Sequence, residues 1–288
     1  MREIERIGVV GLGTMGSGIA QVCILAGVPV VGRDLAPDLV ERAHATIAGQ
    51  LERSVAKGRL DAEARDAALG RLTLTVELAD LADCDLVIEA ALEDCRVKHD
   101  LFRELDEIVA GDAILATNTS ALSVTELAAA SRHPERVVGL HFFNPAPVLP
   151  LVEVVRTELV DGDVFDTAFR LAQRLGKQPI ACADTPGFVV NRILVPALND
   201  AVRVLDEGTA TAEDIDRAMV GGTSWPIGPL ALIDLVGVDV QVHASEALWA
   251  AYREPRFAPP PRLRRMLDAG HLGRKTRRGF YEYPGPGG

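Results

Sequence analysis

Short apolar blocks separated by polar turns run through the first part of the chain. Ile7-Gly8-Val9-Val10 is an apolar run of strand length. After a glycine-rich turn the spacing changes to that of a helix, with Ile19, Ala20, Val22, Leu25 and Ala26 on one face. Val28-Pro29-Val30-Val31 predicts a second strand. A long helical pattern over residues 39–69 is interrupted at Lys57-Gly58-Arg59-Leu60 and resumes at Asp61-Ala62-Glu63. That is more helix than an ordinary crossover uses, and it predicts a helical hairpin projecting from the sheet. Strands then alternate with helices: strands at Leu72-Thr73-Leu74-Thr75, 85–89, 113–116 and 136–140, and helices over 92–109 and 123–130. This alternation predicts a doubly wound, mainly parallel sheet, an α/β fold of Rossmann-like type.

Leu151-Val152-Glu153-Val154-Val155 predicts another strand, residues 164–175 a helix, and Gln178-Pro179-Ile180-Ala181-Cys182 a last strand. From Pro186 onward the period is helical throughout. Residues 186–207 read as one long helix kinked at Pro196, followed by helices at 212–220, 228–252 and 261–269. The chain therefore divides near Asp184-Thr185-Pro186-Gly187 into an α/β domain (1–184) and an all-α domain (185–288). The long helix is apolar on more than one face, which suits packing on its own domain and on a second subunit.

Composition narrows the class. Hydrophobic residues are 48% and charged residues 25% of 288, values of a globular protein with a sizeable core. No apolar run is long enough to span a bilayer. The charged segment Met1-Arg2-Glu3-Ile4-Glu5-Arg6 reads as neither a secretory signal nor an acid-poor transit peptide. Cys23, Cys84, Cys95 and Cys182 lack metal-ligand spacing and read as buried thiols of a reducing cytoplasm. A net charge of −11 argues against nucleic acid as a partner, and an anionic substrate would need a local basic patch.

The turn between the first strand and helix is Gly11-Leu12-Gly13-Thr14-Met15-Gly16-Ser17-Gly18. Gly11 permits the tight turn, Gly13 lets a pyrophosphate approach the backbone, and Gly16 lets helix and strand pack closely. The free N–H groups of the helix start, at Thr14 and Met15, then face the phosphates. Asp34 follows about 20 residues on, the spacing of the acid that accepts the ribose hydroxyls of NAD and repels the phosphate of NADP. Asp34 is equally placed to cap the helix starting near Ala36-Pro37, and Arg33 beside it can tolerate a phosphate if it turns toward the ribose. NAD is the expected cofactor, with NADP not excluded.

Two further stretches follow strands at the carboxyl edge of such a sheet, where ligands sit. Thr117-Asn118-Thr119-Ser120 precedes a helix, and its serine is a candidate either for substrate or for a helix cap; Ser123 with Glu126 fits a capping box. His141-Phe142-Phe143-Asn144-Pro145 is the second, and the proline-rich loop after it allows the Glu153 strand to return past His141. A histidine that accepts a proton on one nitrogen needs a partner on the other, and a carboxylate in an apolar strand suits that task. The alternative is Glu153 facing solvent on an edge strand. Asn191, one turn into the apolar helix after Pro186, is either a cleft-facing amide or an ordinary exposed position.

Together these segments, with Asp85-Leu86-Val87-Ile88-Glu89-Ala90, Asp184-Thr185-Pro186-Gly187-Phe188-Val189-Val190-Asn191-Arg192, Gly273-Arg274-Lys275-Thr276 and Arg278-Gly279-Phe280-Tyr281, resemble the L-3-hydroxyacyl-CoA dehydrogenases, and within them the short bacterial 3-hydroxybutyryl-CoA type. The resemblance implies NAD-linked interconversion of a 3-hydroxyacyl-CoA and its 3-keto ester. It implies His141 as general acid/base oriented by Glu153, with Ser120 and Asn191 on the substrate oxygen and Asn144 holding the histidine loop or the substrate. Glu93 and Lys98 match positions near the cofactor, or else form a helix-face i, i+5 pair without a shared role. Arg53 and Lys57 on the hairpin are candidates for the phosphates of coenzyme A, or else part of a solvated basic face. A homodimer paired through the helical domain is expected. The chain departs from the family pattern at Ala121, at Leu149-Pro150 and at Arg33. A related dehydrogenase of a free hydroxy or sugar acid, and a non-catalytic NAD-binding protein, are the competing readings.

Overall fold

The computed structural model describes residues 3–284; Met1 and Arg2 of the charged start, and residues 285–288, lie outside the described residues. The chain separates into two compact units, residues 1–185 and 186–288.

The first unit is built on eight strands: β1 (Ile7–Val10), β2 (Val30–Arg33), β3 (Leu72–Thr75), β4 (Leu86–Glu89), β5 (Ile114–Thr117), β6 (Val137–Phe142), β7 (Leu151–Arg156) and β8 (Gln178–Ala183). They form one sheet in the order β3-β2-β1-β4-β5-β6-β7-β8. The strands from β3 to β6 are parallel; β7 runs antiparallel to β6, and β8 parallel to β7. The order reverses between β1 and β4. That reversal opens the crevice in which doubly wound sheets bind ligands.

Helices α1 (Thr14–Leu25), α2 (Pro37–Ala56), α3 (Ala62–Leu69), α4 (Cys95–Ile108), α5 (Val124–Ala130) and α6 (Gly162–Arg174) cover this sheet. β1, β4, β5 and β6 are buried along their full length, as strands sandwiched between helices must be. The expected hairpin is α2 and α3. It does not project freely: Ala43, Ile47, Leu51 and Ala68 are buried in the same core as Ile19 and Cys23 of α1.

The second unit contains α7 (Val190–Asp206), α8 (Ala212–Thr223), α9 (Pro229–Val236), α10 (Val238–Tyr252) and α11 (Pro261–Asp268). Its boundaries correct the sequence reading at two places. The long helix begins at Val190 rather than Pro186, because Gly187 and Phe188 take positive φ of 77° and 46° and break the helical path. The single helix expected over 228–252 is two, divided at Gly237, whose φ of 119° no helix accommodates. The helix over 92–109 likewise starts later, at Cys95, where the Asp94 carboxylate caps the N–H groups of Arg96 and Val97.

Asp234 organises the end of this unit. Its carboxylate accepts from Phe280 N, Tyr281 N and the Tyr283 hydroxyl, at 2.9, 3.0 and 3.0 Å. A methyl group at Gly279 would fall on that carboxylate, so the glycine of the Arg278-Gly279-Phe280-Tyr281 motif is a packing requirement. No helix among the described residues is long and apolar enough to cross a membrane.

Candidate active site at the carboxyl edge of the sheet

Because β1, β2, β4, β5 and β6 are parallel, their carboxyl ends bring Gly11, Asp34, Glu89, Asn118 and His141 to one edge. The glycine turn opens that edge. Gly11 has φ 85°, and a Cβ there would meet the Ala90–Ala91 backbone at 2.7 Å. A Cβ at Gly16 would lie 1.7 Å from Gly11 O, so only glycine lets α1 start this close to β1. Around Gly13, in contrast, there is open space. α1 has no side-chain cap and no acid in its first turn, so the N–H groups around Thr14 and Met15 are available to an anion. The donor set and the open approach at Gly13 fit a dinucleotide pyrophosphate.

Asp34 does not cap α2. The cap position is Ala36, without a side-chain bond. Instead, Asp34 Oδ2 accepts from Leu12 N and Oδ1 from Leu35 N, both at 2.7 Å. One carboxylate thus ties the end of β2 to the glycine turn and stays half-exposed beside it, as a ribose-binding acid requires. Arg33 Nε donates to Val76 O at 3.1 Å, which anchors its guanidinium at the end of β3.

A buried ionic network lies behind the next two strand ends. Glu89 is fully buried at the end of β4; its Oε1 accepts from Lys98 Nζ at 2.6 Å and from Ala91 N at 2.7 Å, and its Oε2 from Thr117 Oγ1 at 2.7 Å. Lys98 also reaches Glu93 Oε2 at 3.1 Å. Glu93 Oε1 in turn accepts from Thr119 Oγ1 at 2.6 Å and Ser120 N at 3.0 Å. Glu93 precedes α4 rather than riding on it, so the i, i+5 helix-face alternative for Glu93 and Lys98 is excluded: the two share one network. Burial works against ionisation of Glu93, but the Lys98 charge and the hydrogen bonds from Thr119, Ser120 and Lys98 outweigh it and hold the carboxyl below its ordinary range. Glu89, Thr117 and Thr119 were not singled out from sequence. An acid closing an otherwise apolar strand, followed nine residues later by a lysine, was the available signal.

Asn118 N donates to Glu89 O, and Asn118 Oδ1 accepts from Phe142 N at 2.9 Å, so this residue clamps the ends of β4, β5 and β6 together. Ser120 follows it, half-buried at the start of the loop into α5. Ser123, not Ser120, caps α5, accepting from Glu126 N at 3.1 Å.

His141 and Glu153 stand directly opposite each other in the β6–β7 ladder. Cross-strand partners share a face of the sheet, which brings the two side chains within reach. His141 Nδ1 donates to Glu153 Oε2 at 2.7 Å. Glu153 is fully buried and His141 nearly so, which excludes the solvent-facing edge-strand alternative for Glu153. The His141 ring packs on Phe143, centroids 4.5 Å apart. Beyond it, Asn144 is exposed at the start of the proline-rich loop. Lys177 Nζ pins this loop by donating to Ala146 O at 2.5 Å and Leu149 O at 2.9 Å, an anchor the sequence did not signal. The loop also lies on α1: a methyl at Gly18 would come 3.2 Å from Ala146 Cβ and Pro147 Cδ. The histidine loop and α1 are thereby held together.

Asn191 lies in the first turn of α7, half-buried, in the second unit. Arg53 and Lys57 are exposed at the end of α2. The cysteines depart from the expectation of four buried thiols. Cys23 and Cys84 are buried, and burial pushes both up to about 12. Cys182 is half-buried because β8 is the sheet edge, and Cys95 because it opens α4 at a loop. Cys95 also lies beside His99, one turn on in α4, and Glu126 of α5.

Residues 6–185 match the family model "3-hydroxyacyl-CoA dehydrogenase, NAD binding domain", and residues 187–283 match "3-hydroxyacyl-CoA dehydrogenase, C-terminal domain". The 3-hydroxybutyryl-CoA dehydrogenase of Mycobacterium tuberculosis is 49% identical over 282 residues, covering 97% of this chain and 99% of that protein. The enzyme of the same name from Bradyrhizobium diazoefficiens is 44% identical, covering 98% of this chain and 96% of that one. The crystal structure of M. tuberculosis FadB2 covers 98% of this chain and 100% of its own at a TM-score of 0.96. With two family models spanning nearly its whole length and relatives this similar, the chain belongs to the 3-hydroxyacyl-CoA dehydrogenase family and is an NAD-dependent dehydrogenase.

Proposed function

We propose that this enzyme interconverts short-chain L-3-hydroxyacyl-CoA esters, such as 3-hydroxybutyryl-CoA, and their 3-keto forms, with His141 as the general acid/base. The observation that carries the reading is the buried 2.7 Å hydrogen bond from His141 Nδ1 to Glu153 Oε2 at the carboxyl edge of the sheet.

Glu153 fixes the tautomer: with Nδ1 donating to it, Nε2 is the nitrogen that takes the proton from the 3-hydroxyl. The imidazolium so formed is stabilised by the carboxylate, through a charge-assisted hydrogen bond in a dry environment. When bound, NAD supplies the acceptor for the hydride that leaves C3. In the reverse direction His141 returns its proton to the 3-keto oxygen. Ser120 and Asn191 hydrogen-bond that oxygen, and Asn144 steadies the histidine loop or the substrate. Gly11, Gly13, Thr14, Met15 and Gly16 hold the pyrophosphate and Asp34 the ribose, while Glu93, Lys98 and Asn118 shape the floor on which the nicotinamide end rests. Arg53 and Lys57 meet the coenzyme A phosphates, supplying locally the positive charge that a −11 chain lacks overall. Residues 1–184 carry the cofactor and the catalytic pair; 185–288 serve the substrate and a homodimer contact; the enzyme works in the cytoplasm.

The test is NADH oxidation at neutral pH across a panel of 3-ketoacyl-CoA esters, with free acetoacetate and NADPH as controls. Turnover of the four-carbon ester with NADH, falling with chain length, is expected. Equal turnover of the free acid would replace this reading with that of a hydroxy-acid dehydrogenase.

A further inference from the structure

One cluster of ligating side chains has no part in the chemistry above. Cys95 opens α4, and His99 lies one turn further on, so their i, i+4 spacing puts them on one helix face. Cys95 Sγ and His99 Nε2 are 3.5 Å apart. Glu126 approaches from the first turn of α5, with Oε1 3.3 Å from Cys95 Sγ and 3.9 Å from His99 Nε2. The three ligand atoms lie within 4.8 Å of one another. In a tetrahedral zinc site, bonds of about 2.3 Å to sulfur and about 2.0 Å to nitrogen or oxygen place ligand atoms roughly 3.3–3.6 Å apart. Both distances from the sulfur already agree. The third needs a small closure by Glu126, whose side chain is 61% exposed and free to adjust.

The helix cap accords with this placement of Glu126. In a capping box the carboxylate three residues after Ser123 turns back to the Ser123 N–H. Here only the first half forms, Ser123 Oγ accepting from Glu126 N. The Glu126 side chain extends to Cys95 and His99 instead, and the Ser123 hydroxyl is satisfied by donating to Asp184 Oδ2 at 2.9 Å. The cluster is open to solvent, with Cys95 half-exposed and His99 21% exposed.

We propose that Cys95, His99 and Glu126 form a binding site for a borderline-soft divalent cation of the zinc class, with water in the fourth position. A sulfur, an imidazole and a carboxylate together select such ions over magnesium or calcium. On binding, the Cys95 S–H bond breaks, its proton leaves to solvent, and the sulfur pair forms the bond to the metal; nothing is oxidised or reduced. The ion joins the first turns of α4 and α5. The loop carrying Ser120 runs into α5, and Glu93, two residues before Cys95, holds that loop by the Ser120 N–H. Metal occupancy therefore stiffens the frame of the substrate loop from outside the site.

Cobalt(II) in place of zinc reports a thiolate ligand directly, by a charge-transfer band in the near ultraviolet. Titration of the full chain with cobalt(II) is expected to produce this band, saturating at one ion per chain and displaced by zinc. Cys95→Ser abolishes it, and His99→Ala and Glu126→Gln each weaken cobalt binding by at least the roughly 10–100-fold that follows from disturbing a ligand environment. Zinc raises the thermal midpoint of the wild type and not of Cys95→Ser. NADH binding by each variant reports that it is folded. A wild type without the band, a band that survives Cys95→Ser, or affinity indifferent to both His99→Ala and Glu126→Gln would overturn the proposal.

Discussion

A hydrogen bond of 2.7 Å between two buried groups is sensitive to the loss of either end, and the proposed mechanism rests on the one between His141 and Glu153. His141→Ala should lower turnover by about two to four orders of magnitude, the scale of a general base, with NADH affinity retained in a fluorescence titration. Glu153→Gln keeps the shape but can present a donor to Nδ1, so the tautomer is no longer imposed; kcat should fall well beyond any change in KM. Asp34 is the second residue with a separable role. Its Oδ2 holds Leu12 N in the glycine turn, and the proposal gives the same carboxylate the ribose. Asp34→Ala should reduce the NADH:NADPH ratio of kcat/KM and also weaken NADH itself. An unchanged ratio would hand discrimination to another group. Arg33 is already committed to Val76 O.

Among the elements, α4 buries Leu101, Phe102 and Leu105, and on the same helix Lys98 adds a charge that reaches the end of β4. Lys98 of α4 is 1% exposed and sits between Glu89 at the end of β4 and Glu93 in the following loop. Removing the cation leaves the buried Glu89 carboxylate with two neutral donors, Ala91 N and Thr117 Oγ1, and no counter-charge. Lys98→Ala should therefore cost about 3–5 kcal/mol in urea-induced unfolding, the range for stripping one partner from a buried ion pair. A loss no larger than that of an exposed lysine would mean that water replaces it. Elements were legible in the sequence where a local signal marked them. The strand Leu72-Thr73-Leu74-Thr75 stands where its pattern put it, and the breaks around the glycine turn follow glycine chemistry. Boundaries failed where the backbone does something the pattern does not carry. Apolar spacing runs unbroken across Gly237, yet the positive φ there ends one helix and starts another.

At the scale of the whole molecule, the helical unit leaves large apolar side chains in solvent. Ile193 is 68% exposed on α7, and Leu235 and Val236 at the end of α9 are about half-exposed. Exposed apolar residues are ordinary, and the α/β unit has them too, Leu35 and Leu92 among them, so the homodimer is a proposal that Ile193 tests. Ile193→Asp should convert a dimer to a monomer in light scattering while leaving the far-ultraviolet circular dichroism unchanged. A wild type that is monomeric at micromolar concentration would remove the dimer from the reading.

The family, the Rossmann-like sheet, the glycine turn and the residues offered for chemistry were all legible along the chain. Each of these is written in short-range patterns: glycine spacing, strand-length apolar runs, and motifs in a given order. Tertiary structure decided which of those residues touch. Strand periodicity states that Glu153 points to one face or the other, and only the antiparallel β6–β7 register, formed across a loop, sets it opposite His141. The burial of Lys98 between two acids and the convergence of Glu126 on Cys95 and His99 depend in the same way on helices and strands far apart in the chain. Local spacing cannot encode a contact whose two halves are brought together only when the sheet closes around its core.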